Sequence, residues 1–347
     1  MKRLGFVAIA ALAFLAARGL PQAAPAPAGP YRVLKTARVG GDGGFDYVYA
    51  DVEGRRLYVA RRSEPPHIAV YNLDTLEPVG DIANVGAHGA VVDPASHHAF
   101  GSSKPISMWD SRTLAPIKKI EVDGSPDGML FDPFNHRVWV LSHRAPNATV
   151  IDAATGTVVG TVDLGGAPEE AVSDGHGRIF VDIEDKANIA VVDAKTLTVK
   201  AHYDLAGKGG TCAGLAMDVK HHILFAACRE PHNMVVLDAN TGRIITTLPI
   251  GVGVDGATFD PETMEAFSSQ GDGTLTIVKE HSPTRFTVEQ TVKTMPSAKT
   301  LTLDSKTHRI LLIGAEFGPP PAAPPGDRRP RRGPLVPGSF SILVVGR

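Results

Sequence analysis

Asp46-Tyr-Val-Tyr-Ala-Asp51 is the first of seven six-residue stretches that set the architecture of this chain. The others are His88-Gly-Ala-Val-Val-Asp93, Asp127-Gly-Met-Leu-Phe-Asp132, Glu169-Glu-Ala-Val-Ser-Asp174, Ala213-Gly-Leu-Ala-Met-Asp218, Asp255-Gly-Ala-Thr-Phe-Asp260 and Lys299-Thr-Leu-Thr-Leu-Asp304. Their starts are 42, 39, 42, 44, 42 and 44 residues apart. A fixed period of about 40 residues marks a stacked or radial repeat. The sixth position is Asp in all seven, whereas the first varies and is mostly charged or polar. The constant position serves the scaffold, and the variable one is free for function.

The same four-strand grammar surrounds each stretch. Unit 1 reads as strand a at 47–51, a turn at 52–56, strand b at 57–60, a polar loop at 61–66, strand c at 68–73 and strand d at 78–85. Short β-rich runs divided by Gly, Pro, Asn and Asp are strand and turn signals. The turn between c and d has its own pattern, from Asp110-Ser-Arg-Thr113 to Asp238-Ala-Asn-Thr241. Asp and Thr side chains that bond nearby backbone amides account for it. Four strands per unit, repeated radially, make a propeller blade. Unit 7 lacks a strand d, and a spare strand at 31–39 precedes unit 1. Placing it there closes the ring without a free sheet edge. The expected fold is therefore an all-β, seven-bladed β-propeller over residues 29–347, with four-stranded antiparallel blades and the N-terminal strand completing the last.

Val150-Ile-Asp-Ala-Ala-Thr-Gly156 and Val236-Leu-Asp-Ala-Asn-Thr-Gly242 carry a strand-c consensus that resembles the YVTN-repeat propellers, in particular exported YncE-like bacterial proteins. The Y-V-x-N signature of that family is matched loosely at Tyr58-Val-Ala-Arg61 and Phe180-Val-Asp-Ile183. The resemblance covers residues 31–347 and implies a scaffold that hosts binding proteins and enzymes alike. It also brings nucleic-acid binding into consideration, since that has been linked to YncE-like proteins.

Residues 1–28 read as a secretory leader: Met1-Lys2-Arg3, an apolar run at 4–17, then small residues and proline. Removal of Lys2, Arg3 and Arg18 with it lowers the formal charge from −2 to −5. A periplasmic or secreted location follows, with no transmembrane segment, and a monomer is expected. The acidic balance argues against a dedicated nucleic-acid binder. Export gives Cys212 and Cys228 an oxidising setting, and a hairpin brings them nearly opposite, so a disulfide is expected; two buried thiols are the alternative.

In a propeller, strand a lines the central channel, and the d–a and b–c loops share one face. The variable first positions then rim the channel mouth: Asp46, His88, Asp127, Glu169, Cys212 or Ala213, Asp255 and Lys299. Glu184, Lys186, Arg229 and Glu316 in the b–c loops surround them. The inference is an acid-rich, polar ligand site for a small-molecule or polymer ligand, without catalysis. The alternative is a metal-assisted lactonase or lyase, with Ca²⁺, Mg²⁺ or Mn²⁺ on oxygens of Asp127, Glu169 and Asp255. No G-x-S-x-G, H-E-x-x-H, Walker loop or dinucleotide fingerprint supports other enzyme classes. Among the histidines, His97, His136, His222 and His308 each follow a repeated Asp by four residues, which places them in a–b turns on the far face. His88 alone holds a rim position, with His143 and His232 as additions. The segment 319–337 has eight prolines and Arg328, Arg329, Arg331 and Arg332 against Asp327. It reads as an extended loop projecting from the mouth face, and it is the feature that would favour an anionic partner such as nucleic acid.

Overall fold

The computed structural model describes residues 29–321 and 332–347. The leader at 1–28, and Arg328, Arg329 and Arg331, lie outside these residues. Seven four-stranded antiparallel sheets form in chain order. Blade 1 comprises Gly44–Asp51, Arg56–Arg62, His67–Asn72 and Pro78–Ala83, and blades 2 to 6 repeat the a-b-c-d order. Blade 7 takes Thr300–Asp304, Arg309–Gly314 and Ser341–Gly346 from the C-terminal end and Arg32–Arg38 from the N-terminal end. Arg32–Arg38 pairs antiparallel with Ser341–Gly346, so the ring closes as the sequence leads one to expect. Among the described residues, no helix is long and apolar enough to cross a membrane.

The core is divided into seven clusters, one at each interface between neighbouring blades. This explains why strands b and c are apolar on both faces. In blade 3, Val138 and Val140 pack toward blade 2, while Trp139 and Leu141 pack toward blade 4. Side chains alternate across a strand, so one strand feeds two interfaces.

The repeated aspartates are all buried, from Asp132 at 0% exposure to Asp51 at 6%. Six of them accept a hydrogen bond from the amide two residues on, as Asp132 does from Phe134 at 3.2 Å and Asp174 from His176 at 2.8 Å. Asp51 accepts from Gly54, three on, at 2.9 Å. Each therefore starts the a–b turn with its own side chain. Four residues later the backbone is left-handed at Arg55, His97, His136, His222, Met264 and His308. Four of these residues are His, and two of them reach back to the preceding blade: His308 Nδ1 lies 2.9 Å from Asp260 and His136 Nδ1 lies 3.5 Å from Asp93. Arg55 does the same to Asp304 at 2.8 Å. Two of the four turn histidines, His136 and His308, are thus blade-to-blade ties.

The c–d aspartates likewise accept from backbone amides, Asp110 from Arg112 and Thr113, and Asp193 from Lys195 and Thr196. Cys212 and Cys228 stand directly opposite in strands a and b of blade 5 and form the disulfide.

Candidate functional site

Strand a meets the mouth with an irregularity that aims the site. In blades 1, 3, 4, 5 and 6 the register between strands a and b slips at Phe45–Val48, Pro126–Met129, Pro168–Ala171, Cys212–Gly214 and Val254–Ala257. A bulge re-aims side chains locally, and these bulges carry Asp46, Asp127, Glu169 and Asp255. In blades 2 and 7 strand a begins only at Ala90 and Thr300, so His88 and Lys299 sit just ahead of it. Gly128 must be small, because a Cβ there would come 2.6 Å from the carbonyl oxygen of Glu169. That contact holds Asp127 close to the blade 4 rim.

The ring side chains form one continuous chain of alternating charge. Lys299 Nζ and Arg229 Nη2 both bind the carboxylate of Asp255. Arg229 Nη1 donates to Glu184 at 2.6 Å, and its Nη2 lies 3.8 Å from Glu169. His143 Nε2 lies 3.0 Å from Glu169 Oε2 and 2.8 Å from Asp127 Oδ2. His88 Nδ1 lies 2.9 Å from Asp127 Oδ1 and 2.9 Å from Asp46 Oδ2. Arg62 ends the chain on Asp46.

Each partner changes the other's proton affinity. Hydrogen bonds to Asp127 and then Asp46 raise His88 to about 9. Asp127 and then Glu169 raise His143 to about 10. Burial opposes the charge of Asp127, but His143 and His88 outweigh it and hold that carboxyl well below its usual range. Burial also works against Arg229, and the carboxylates of Asp255, Glu169 and Glu184 more than compensate. Opposite charges within hydrogen-bonding distance favour the charged forms.

The layers are unequal. The cationic side chains Arg62, His88, His143, Arg229 and Lys299 are 30–50% exposed, and the carboxylates beneath them only 8–22%. An acid-rich rim therefore offers incoming ligands a cationic surface.

Of the ten expected ligand residues, eight converge here: Asp46, His88, Asp127, Glu169, Asp255, Lys299, Glu184 and Arg229. Lys186 instead pairs with Asp185 in solvent at 3.0 Å, and Glu316 pairs with Arg38. Glu316 and Phe317 line a separate cavity of about 510 Å³, where Arg332 stacks 4.6 Å from the Phe317 ring. The fifth rim position is apolar, since Cys212 and Ala213 are both buried. Asp255, bound by Lys299 and Arg229, does not join Asp127 and Glu169 in a metal-ligand group among the described residues. At the rim the groups whose donor atoms converge are Asp46–His88–Asp127 and Asp127–His143–Glu169, and a third such group, Asp218–His221–Glu280, lies on the far face.

Beneath the rim lies a central cavity of about 190 Å³, lined by strand a residues that include Tyr47, Glu169 and Glu170. Tyr47 reaches across from blade 1, its hydroxyl 3.5 Å from the carbonyl of Glu169 in blade 4. Two buried carboxyls, of which Glu170 lines the cavity, escaped the sequence reading as a pair. Asp182 Oδ1 accepts from the amide of Glu170 at 2.6 Å, and Glu170 accepts from the amide of Leu215 at 2.7 Å. Burial pushes both well above the usual carboxyl range. Asp182 lies in strand b, within an apolar run that signals core rather than loop. On the far face, His221 Nδ1 lies 2.7 Å from Asp218 and 2.9 Å from Glu280 and ties blade 5 to blade 6.

No family model matches the chain, and no curated protein matches it in sequence. Among solved structures, a chain of a mitotic checkpoint complex superposes with a TM-score of 0.69 at 12% identity, over 87% of this chain and 95% of that one. Similarity at that identity is one of fold alone: the chain is a seven-bladed β-propeller.

Proposed function

We propose that this is an exported, YncE-like binding protein that takes an anionic ligand, a small molecule or the end of a polymer, at its channel mouth without catalysis. The observation that carries this reading is the layering of the rim, with five cationic side chains outermost and five carboxylates sheltered below. The carboxylates hold the cations in place and keep the apo site close to neutral. A ligand carboxylate or phosphate gains charge-assisted hydrogen bonds from Arg229, Lys299 and Arg62 without asking new side chains to order. Tyr47 reaches across the channel below the rim, which favours a ligand seated on the rim. Export is supported by the 1–28 leader pattern and by the Cys212–Cys228 disulfide.

The test is a thermal-shift panel of inorganic phosphate, malonate, glucuronate and a neutral hexose on chelator-treated protein. At least one anion should raise the melting temperature of the native chain and leave an Arg229→Gln, Lys299→Gln variant unmoved. A response to the neutral sugar alone, or equal responses in both proteins, would remove the reading.

A further inference from the structure

We infer that the rim between blades 1 and 4 is a site for a pair of divalent first-row transition-metal ions bridged by the carboxylate of Asp127. The inference rests on the rim being the binding site and names what completes it. One position is formed by Asp46 Oδ2, His88 Nδ1 and Asp127 Oδ1, and the other by Asp127 Oδ2, His143 Nε2 and Glu169 Oε2. Within each group the donor atoms lie within 4.8 Å of one another.

Each of the two imidazole nitrogens lies between two carboxylate oxygens, at 2.9 Å from both for His88 Nδ1 and at 2.8 and 3.0 Å for His143 Nε2. In the metal-free chain a shared N–H proton bridges each such set, and a divalent ion would take the place of that proton, because a neutral imidazole nitrogen and carboxylate oxygens are its ordinary ligands. Bonds of about 2.1 Å meeting at right angles place donors about 3.0 Å apart, the spacing of each nitrogen from its two oxygens. Arg62, half exposed, is free to swing from His88 to solvent or to a ligand.

The donor set selects the metal. Oxygens alone would suit Ca²⁺ or Mg²⁺, but one imidazole in each position shifts preference to Mn²⁺, Fe²⁺, Co²⁺ or Zn²⁺. Two ions joined by one carboxylate also match the arrangement of two-metal centres, which hold an oxygen ligand between them. Three carboxylates balance only part of the charge on two divalent ions, so an anionic oxygen completes the site. The same anion that Arg229 and Lys299 attract then gains direct metal ligation.

The test is metal uptake by the chelator-stripped full chain, measured by elemental analysis and by calorimetric titration with Mn²⁺, Co²⁺ and Zn²⁺. Two ions per chain are expected, with visible d–d absorption for Co²⁺. His88→Gln and His143→Gln should each retain one ion, and Asp127→Ala should lose both. Circular dichroism of the stripped variants checks that each is folded. Absence of uptake, or uptake unchanged in both histidine variants, overturns the site; a single ion removed by either variant overturns the bridged pair. Anion binding measured in chelator separates this inference from the broader reading. Binding there without metal uptake defeats the metal site alone, and uptake without anion binding defeats the anion reading alone.

Discussion

At the scale of single residues, the rim is a balance that substitution can tip either way. Asp255 holds both Lys299 and Arg229, so Asp255→Asn frees Lys299, leaves Arg229 on Glu184, removes one negative charge from the rim and should tighten anion binding about threefold to tenfold. Lys299→Gln should weaken it by a similar factor, as expected for charges that steer and orient a ligand. Calorimetric titration of phosphate into both variants checks the opposed signs. Far from the rim, burial and then the neighbouring Asp218 raise Glu280 from 4.5 to about 7. A carboxyl that binds its proton more tightly when folded contributes its full stability below pH 4.5 and loses it as pH rises through 7. The melting temperature should therefore fall between pH 5 and 8, and Glu280→Gln should flatten that fall. The variable first positions were legible in the sequence because the repeat sets them against a constant Asp. Arg62 and His143 were visible only as loop residues, since their roles depend on which neighbouring blade they reach. Lys186 and Glu316 occupy equivalent loops yet turn to local partners, a choice that periodicity does not encode.

At the scale of elements, the bulges in strand a convert a regular β-ladder into a ring of inward-facing side chains. They escape a sequence reading because they belong to the pairing of two strands, and neither strand shows them alone. The disulfide was legible, since a short turn at 219–222 fixes Cys212 opposite Cys228. It closes a loop of 16 residues, for which the chain-entropy estimate is about 3 kcal/mol. The Cys212→Ala, Cys228→Ala variant should lose up to about that much in urea unfolding. Reductant should destabilise the native protein and leave the variant unchanged. Equal sensitivity of both proteins would show that the bond does not stabilise blade 5.

At the scale of the whole molecule, the ring is held by seven inter-blade cores and one closure. Strand Arg32–Arg38 supplies the outer edge of blade 7, and Tyr31 beside it is locked to blade 6. The Tyr31 amide donates to Gln290 Oε1 at 3.0 Å, and its carbonyl accepts from Gln290 Nε2 at 2.7 Å. Its hydroxyl donates to Glu265 at 2.5 Å. Deleting residues through Val39 exposes the edge of the Ser341–Gly346 strand and opens part of the core between blades 6 and 7. The truncated chain should lose cooperative unfolding and self-associate on a sizing column, whereas Tyr31→Phe should stay monomeric and cooperative. This closure was legible from one spare strand at each end of the repeat. The proposed use of the mouth rests on a feature legible only as a concentration of charge, because its layering depends on side-chain directions.

The most direct test of that use is a calorimetric titration of the anion that gives the largest thermal shift into chelator-treated protein at low and high salt. The account predicts saturable binding to one site, weaker at high salt and abolished in the Arg229→Gln, Lys299→Gln variant. Binding of equal strength in the native and variant proteins, or none by any anion of the panel, would contradict it.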